Sequence, residues 1–356
     1  MQLDIALESK IGPTAIKELG LLAETYGIRT VWVQNLARAP DAFMAAVPLA
    51  LASSSIKVGI AVVCSHEMHP LKIANAVLTL NEYAKGRGCV VVTSGGEWPG
   101  VVGQKIAEVA RTKEALEIIK ASLGDEPTVS YEGEFYKAQM FNTKWKIQAP
   151  PMLYGGAHRA KMMQMVATTC DALMFSDIQP EMFDGVLGTL NKVRPIEDRP
   201  NDFRLSNFIA WHIKEDREAS LWEAQRELII RAWLYREWIE PYLEPEDVEW
   251  VLKNPFPFLK AYRERTGDIE GVPKHIVDKL VEGLTMSGDP SDIDRHIERL
   301  AAFKREGFTE ISLGLQEDPA ESIKMIGEQY CRLSSDSDET DGLIDCILEL
   351  LLRFEF

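Results

Sequence analysis

Residues Val58–Pro70 read VGIAVVCSHEMHP, Leu71–Tyr83 read LKIANAVLTLNEY, and Ala84–Gly96 read AKGRGCVVVTSGG. The apolar runs Val58–Cys64 and Cys89–Thr93 are short, rich in β-branched residues and free of polar alternation, as expected of strands buried on both faces. Between them lies one amphipathic helix. Pro70 stands at its start, where a missing N–H costs nothing, and Ile73, Ala74, Val77, Leu78 and Leu80 form an inward stripe. The unit is therefore βαβ. Parallel α/β sheets place their chemistry beyond the carboxyl ends of the strands, so Cys64, Ser65, His66, Ser94, Gly95, Gly96 and Glu97 gather at one rim.

The same alternation extends in both directions. Leu3–Leu7 and Thr30–Val33 read as strands, Thr14–Tyr26 and Asp41–Ala52 as helices, and Gly103–Ser122 as a long helix after Glu97. The segment Thr128–Ile147 breaks the rhythm with short alternating pieces around Glu132 and Gly133, which predicts an inserted β-hairpin. Further strands are expected at Pro151–Tyr154, Ala172–Phe175, Phe203–Ile213 and Thr309–Gly314. The methionines of helix Ala160–Thr169 read as core packing. Residues 216–286 are too long for a connection and carry Trp222, Trp233, Trp238 and Trp250 at helical spacing, which predicts a barrel helix with a helical cap. Eight strand–helix pairs favour a closed (β/α)8 TIM barrel of the α/β class, with insertions, over residues 1–330. Beyond it, residues 331–356 read as the acidic linker Ser334–Asp341 and the apolar tail Leu343–Phe356.

Composition narrows the partners. A chain of 356 residues with net charge −16 lacks the basic footprint that nucleic acid or an anionic membrane requires, which leaves small molecules. The five cysteines are scattered without CxxC spacing, so neither a disulfide framework nor a metal site is indicated and a reducing cytoplasm is expected. No apolar stretch approaches the roughly 18 residues needed to span a bilayer, and the N-terminus lacks the pattern of a signal peptide.

The succession of a small residue, polar residues and His69-Pro70 after one strand, then TLNEYAKGRG, a strand ending in SGGE, and a Gly155-Gly156 pair opening a later helix resembles the bacterial luciferase-like superfamily. The best matching stretches are Ile73–Glu97 and Gly288–Gly314. Members are flavin-dependent monooxygenases and oxidoreductases dependent on the deazaflavin coenzyme F420, built on a (β/α)8 barrel and usually paired as homodimers. The resemblance implies an oxidoreductase that uses coenzyme F420 or reduced FMN for hydride transfer to, or oxygenation of, a small organic substrate. It also implies a non-prolyl cis peptide at Ala61-Val62, pressing on one face of the ring, with Cys64 and Ser65 just beyond.

By the same resemblance, Ser94, Gly95 and Gly96 let backbone approach the ring, and Gly155, Gly156, Ala157, His158 and Arg159 stand where the family holds phosphate. A phosphate needs N–H donors at a helix N-terminus, and Arg159 adds a cation. Glu97 follows the fourth-strand glycines, where some deazaflavin enzymes carry a glutamate proton donor. Many members have His after the second strand. This chain has Gln34-Asn35-Leu36, which removes that histidine from the mechanism, adds Asn35 to the cofactor contacts, and makes His66 the catalytic substitute. The departure also leaves open a non-catalytic, flavin-binding or accessory subunit of the same fold. A barrel hydrolase or aldolase is disfavoured, since no HxH pair is present.

Overall fold

The computed structural model describes residues 1–334; the tail Leu343–Phe356 and all but the first residue of the acidic run lie outside them. Eight parallel strands close into a barrel: β1 (Gln2–Glu8), β2 (Thr30–Gln34), β3 (Lys57–Cys64), β4 (Gly88–Thr93), β7 (Met152–Gly156), β8 (Ala172–Ser176), β9 (Arg204–Trp211) and β10 (Glu310–Leu315). Closure is made by β1 pairing in parallel with both β2 and β10. The expected hairpin intervenes as β5 (Thr128–Glu132) and β6 (Lys137–Asn142), paired antiparallel outside the barrel. Its turn is pinned by the Glu114 carboxylate, which accepts the backbone N–H groups of Glu134, Phe135 and Tyr136 at 2.8, 2.9 and 3.0 Å. Tyr136 then donates to the Ser65 carbonyl at 3.0 Å, tying the hairpin to the loop after β3.

Strand residues alternate between two cores. The outward set, including Ile5, Val31, Ile60, Val90, Leu173 and Ile311, packs against the surrounding helices. The inward set includes Ala6, Trp32, Val91, Tyr154 and Met174. Below Trp32 the interior is charged and fully paired: Arg29 bridges Asp4 and Glu310 at 2.6 and 2.9 Å, and Tyr154 donates to Glu310 at 2.6 Å. Asp4 and Glu310 have no exposed surface, a placement tolerable only with such complete partnering.

Two of the boundaries that differ from the sequence reading bear on the site. The fourth long helix begins at Val109 rather than Gly103, because Gly103 turns with φ +69 and the backbone of Ala107 reaches back to the Ser94 carbonyl. Ile106, inside the expected helix, is thereby left in the loop and 65% exposed. Strand β7 also continues two residues beyond Tyr154, since Gly155 and Gly156 remain in register with Leu173 and Met174 of β8. The cap comprises helices Arg217–Arg226, Arg236–Ile239, Pro245–Lys253, Phe256–Glu264 and Lys274–Leu284, with 3-10 turns at Leu228–Ile230 and Ala232–Leu234 between the first two. It has an apolar core of its own, centred on Leu228, Ile239, Phe258 and Leu280.

Candidate active site at the barrel mouth

A cavity of about 670 Å³ opens at the carboxyl ends of the barrel strands and runs down to Trp32. Its floor is the inward layer Ala6, Trp32, Val91, Met174, Phe208 and Ser312. Alternation along each strand sends these side chains inward, and small residues at β1 and β10 leave the space. Trp32 is fixed from below by its Nε1 donating to Asp4 at 3.1 Å.

One wall is the end of β3. Its register against β4 shifts between Ile60 and Val63, and the Ala61–Val62 peptide bond is cis, at the position the resemblance implied. Asn35, from the end of β2, donates its backbone N–H to the Ala61 carbonyl at 2.8 Å and its side-chain amide to the Val62 carbonyl at 3.1 Å. The facing wall comes from β4, with Thr93, Ser94, Gly95 and Gly96 lining the cavity. Gly96 has φ +107, a conformation in which a side chain is strained, and a Cβ there would press on Val62 at 3.3 Å.

Glu97 lines the mouth and is exposed; its Oε2 accepts the Ala37 N–H at 3.0 Å. Gly156, Ala157, His158 and Arg159 line the next sector, where helix Ala160–Thr169 begins. His158 packs edge-on against Trp238 with ring centroids 5.1 Å apart, and burial lowers its pKa to about 4, so the imidazole is neutral near pH 7. Arg159 is largely exposed and lies 3.4 Å from Glu237.

Four residues singled out in the sequence do not line this cavity: Cys64, Ser65, His66 and Gly155. Cys64 and Ser65 are buried behind the β3 wall. His66 lies on the far side, where burial and the Arg111 cation lower its pKa. Gly155 faces the helix instead, since a Cβ there would meet Val166 at 2.5 Å. That glycine serves strand–helix approach. Of the methionines in helix Ala160–Thr169, Met163 and Met165 are core, whereas Met162 reaches the cavity.

Sequence reading passed over two features. Glu67, behind Asn35, accepts the Asn35 amide and the Cys64 N–H, and only its place in the loop SHEMHP hinted at it. The second is a strap from the cap, Ala232–Tyr235. Ala232, Trp233 and Leu234 are all left-handed, with φ +45, +54 and +49. Buried Asp177, itself at φ +59 after β8, anchors the strap by pairing with Arg231 at 3.1 Å and accepting the Ala232 N–H at 3.2 Å. Trp233 and Tyr235 thereby stand at the mouth, 53% and 50% exposed. Three successive left-handed non-glycine residues have no local sequence signal.

The family model for luciferase-like monooxygenases matches residues 2–310. The chain belongs to that family. The 5,10-methylenetetrahydromethanopterin reductase of Archaeoglobus fulgidus is 26% identical over 315 residues, spanning 86% of this chain and 92% of that protein. Among solved structures, the coenzyme F420 dependent tetrahydromethanopterin reductase from Methanopyrus kandleri superposes with a TM-score of 0.75 at 18% identity, covering 92% and 97% of the two chains. The oxygenating constituent of 3,6-diketocamphane monooxygenase from Pseudomonas putida, in complex with FMN, gives a TM-score of 0.58 at 15% identity, covering 92% and 96%. Luciferase-like folds thus account for the barrel and the placement of its mouth. Among the described residues, no helix is long and apolar enough to cross a membrane.

Proposed function

We propose that this luciferase-like oxidoreductase binds coenzyme F420 in the cavity at the barrel mouth and acts on a small organic substrate admitted beneath the cap. The observation that carries the reading is the joint placement, around one cavity of about 670 Å³, of the β3 wall, the Gly95-Gly96 wall and the Gly156–Arg159 entry to a helix. The residues present fit such a group. Gly96 leaves backbone bare where a side chain would meet Val62, apolar floor residues suit a flat ring, and the start of helix Ala160–Thr169 with Arg159 suits a phosphate. When bound in its reduced form, the cofactor supplies a hydride.

The chain's own groups supply the rest. Ala61, Val62, Gly95 and Gly96 would hold the ring, with Asn35 and Ser94 at its edge. Glu97, whose Oε2 accepts the Ala37 N–H at the mouth, is the carboxyl placed to pass a proton to the substrate. His158, neutral and packed on Trp238, offers the phosphate region hydrogen bonding without added charge. His66 lies outside the cavity, which leaves Glu97 as the acid favoured by position.

FMN is the second reading, favoured by the fold shared with the FMN complex from Pseudomonas putida. Absorbance-monitored titration of the purified protein with coenzyme F420 and with FMN separates the two. Tighter binding of F420 supports the first reading, tighter binding of FMN the second, and binding of neither removes both.

We also propose a homodimer that packs the apolar outer side of helix Ala42–Ala52, where Met44 and Leu51 are 72% and 62% exposed. A concentration-independent monomer in light scattering would exclude it. A reducing, cytoplasmic setting suits the free, buried thiols of Cys64, Cys89 and Cys170.

A further inference from the structure

The Asn35 side chain is surrounded by oxygen. Its Nδ2 lies 3.1 Å from the Val62 carbonyl and 3.0 and 2.9 Å from the two carboxylate oxygens of Glu67. The nitrogen and oxygen of an amide are told apart by such a network, and three acceptors around one atom require it to be the nitrogen. A flipped amide would set Oδ1 against all three. Glu67 Oε1 also accepts the Cys64 N–H at 2.8 Å. One carboxylate therefore reaches the β3 wall at two points, through Asn35 to Val62 and directly at Cys64, while the Asn35 backbone holds Ala61. Asn35, Ala61 and Val62 line the cavity, whereas Glu67 stands behind them.

We propose that Glu67 is a positioning residue for the ring site, holding the Asn35 amide and the β3 wall in the shape that receives the cofactor. The proposal rests on the reading that this cavity binds coenzyme F420 or FMN. A carboxylate suits the position because it only accepts; a carboxylic acid would turn one acceptor oxygen into an O–H donor, leaving the other to serve both Asn35 and Cys64 and weakening the Asn35 link. Among the described residues Glu67 forms no ion pair. The charged and titratable groups bearing on it are Asp41, ahead of helix Ala42–Ala52, and the Cys64 thiol on β3. His66 and His69, in its own loop, are not paired with it. Burial, with a smaller contribution from Asp41, raises its pKa to about 7, so the wall changes its support near neutrality.

The test titrates FMN and coenzyme F420 separately into the full chain at about pH 8 and about pH 6, comparing the parent with Glu67→Gln and Asn35→Ala. Glu67→Gln keeps the shape but carries an amide donor that opposes Asn35. It should bind about tenfold more weakly than the parent at the higher pH, the size of effect expected for one charge-assisted hydrogen bond. The parent's affinity ratio between the two pH values should exceed that of Glu67→Gln by about the same factor, a comparison that cancels protonation of the cofactor itself. Asn35→Ala leaves Glu67 intact but cuts its link to Val62, and should lose the same pH-dependent component. Circular dichroism establishes that each variant is folded, and the Asn35 variant carries the test if Glu67→Gln does not fold. Equal pH ratios in the parent and the folded variants overturn the positioning role while leaving the cofactor reading intact. Failure of the parent to bind either cofactor overturns both.

Discussion

The two walls of the mouth are built on different principles. The β3–β4 side is backbone: Gly95 and Gly96 face Ala61 and Val62, whose carbonyls accept hydrogen bonds from Asn35, while the Glu67 carboxylate behind accepts the Asn35 amide. The cap side is aromatic: Trp233 and Tyr235, carried on a left-handed turn that the Asp177–Arg231 pair anchors. Backbone walls barely change with side-chain substitution, whereas an aromatic wall on an exposed turn can be recast one residue at a time. The first suits a constant cofactor and the second a variable substrate.

The largest expected effect tests the proton donor on the backbone side. Glu97→Gln should retain cofactor affinity within a few-fold and lower turnover by about 10² to 10⁴, the range for losing a general acid. Turnover at the parent rate would reduce Glu97 to a loop carboxylate. On the cap side, Asp177→Ala leaves Arg231 buried without its partner and frees the strap. A loss of about 3 to 5 kcal/mol in denaturant unfolding is expected, and an unchanged midpoint would show the strap to be held by packing alone.

Acid should strain the rim next. Burial lowers the pKa values of His158 at the mouth and of His296, buried in helix Ile293–Arg305 away from the cavity, to about 4, so the folded protein resists protons that the unfolded chain takes up near pH 6.5. Stability is therefore complete above about pH 6.5 and falls as pH drops towards about 4, by up to roughly 3 kcal/mol for each imidazole. His158→Gln should flatten that fall in a pH series of unfolding curves; an equally steep series would place the acid sensitivity elsewhere.

The smallest pair of effects sharpens the contrast. Trp233→Ala should raise the substrate KM several-fold with little change in cofactor affinity, whereas Gly155→Ala, which drives a methyl group into Val166, should lower stability by about 1 to 3 kcal/mol. Were Gly155→Ala instead to weaken cofactor binding without loss of stability, the phosphate role read from the sequence would return.

The barrel was legible because strands buried on both faces announce themselves: LDIAL, TVWV, GIAVV and CVVV needed no further context. The rim followed from the rule that chemistry sits at strand ends, and the place of the cis peptide from the family resemblance. Inward lining was harder, since assigning Trp32, Met174 and Phe208 to a cavity floor requires the register of the closed barrel. Gly155 misled because a glycine that admits phosphate and one that admits a helix read alike. Glu67 was passed over because its partners, Asn35 and Cys64, come together only through the pairing of β2 with β3.

The charged plug beneath Trp32 has a kinetic consequence. With Asp4, Arg29, Tyr154 and Glu310 filling the barrel from below, the mouth is the way into the cavity among the described residues, and whatever enters first lies deepest. With the ring on that floor, as proposed, the cofactor is seated before the substrate, and product leaves by the path on which the next substrate arrives. Oxidised cofactor should accordingly inhibit competitively against reduced cofactor, whereas the organic product should inhibit without competing with the cofactor.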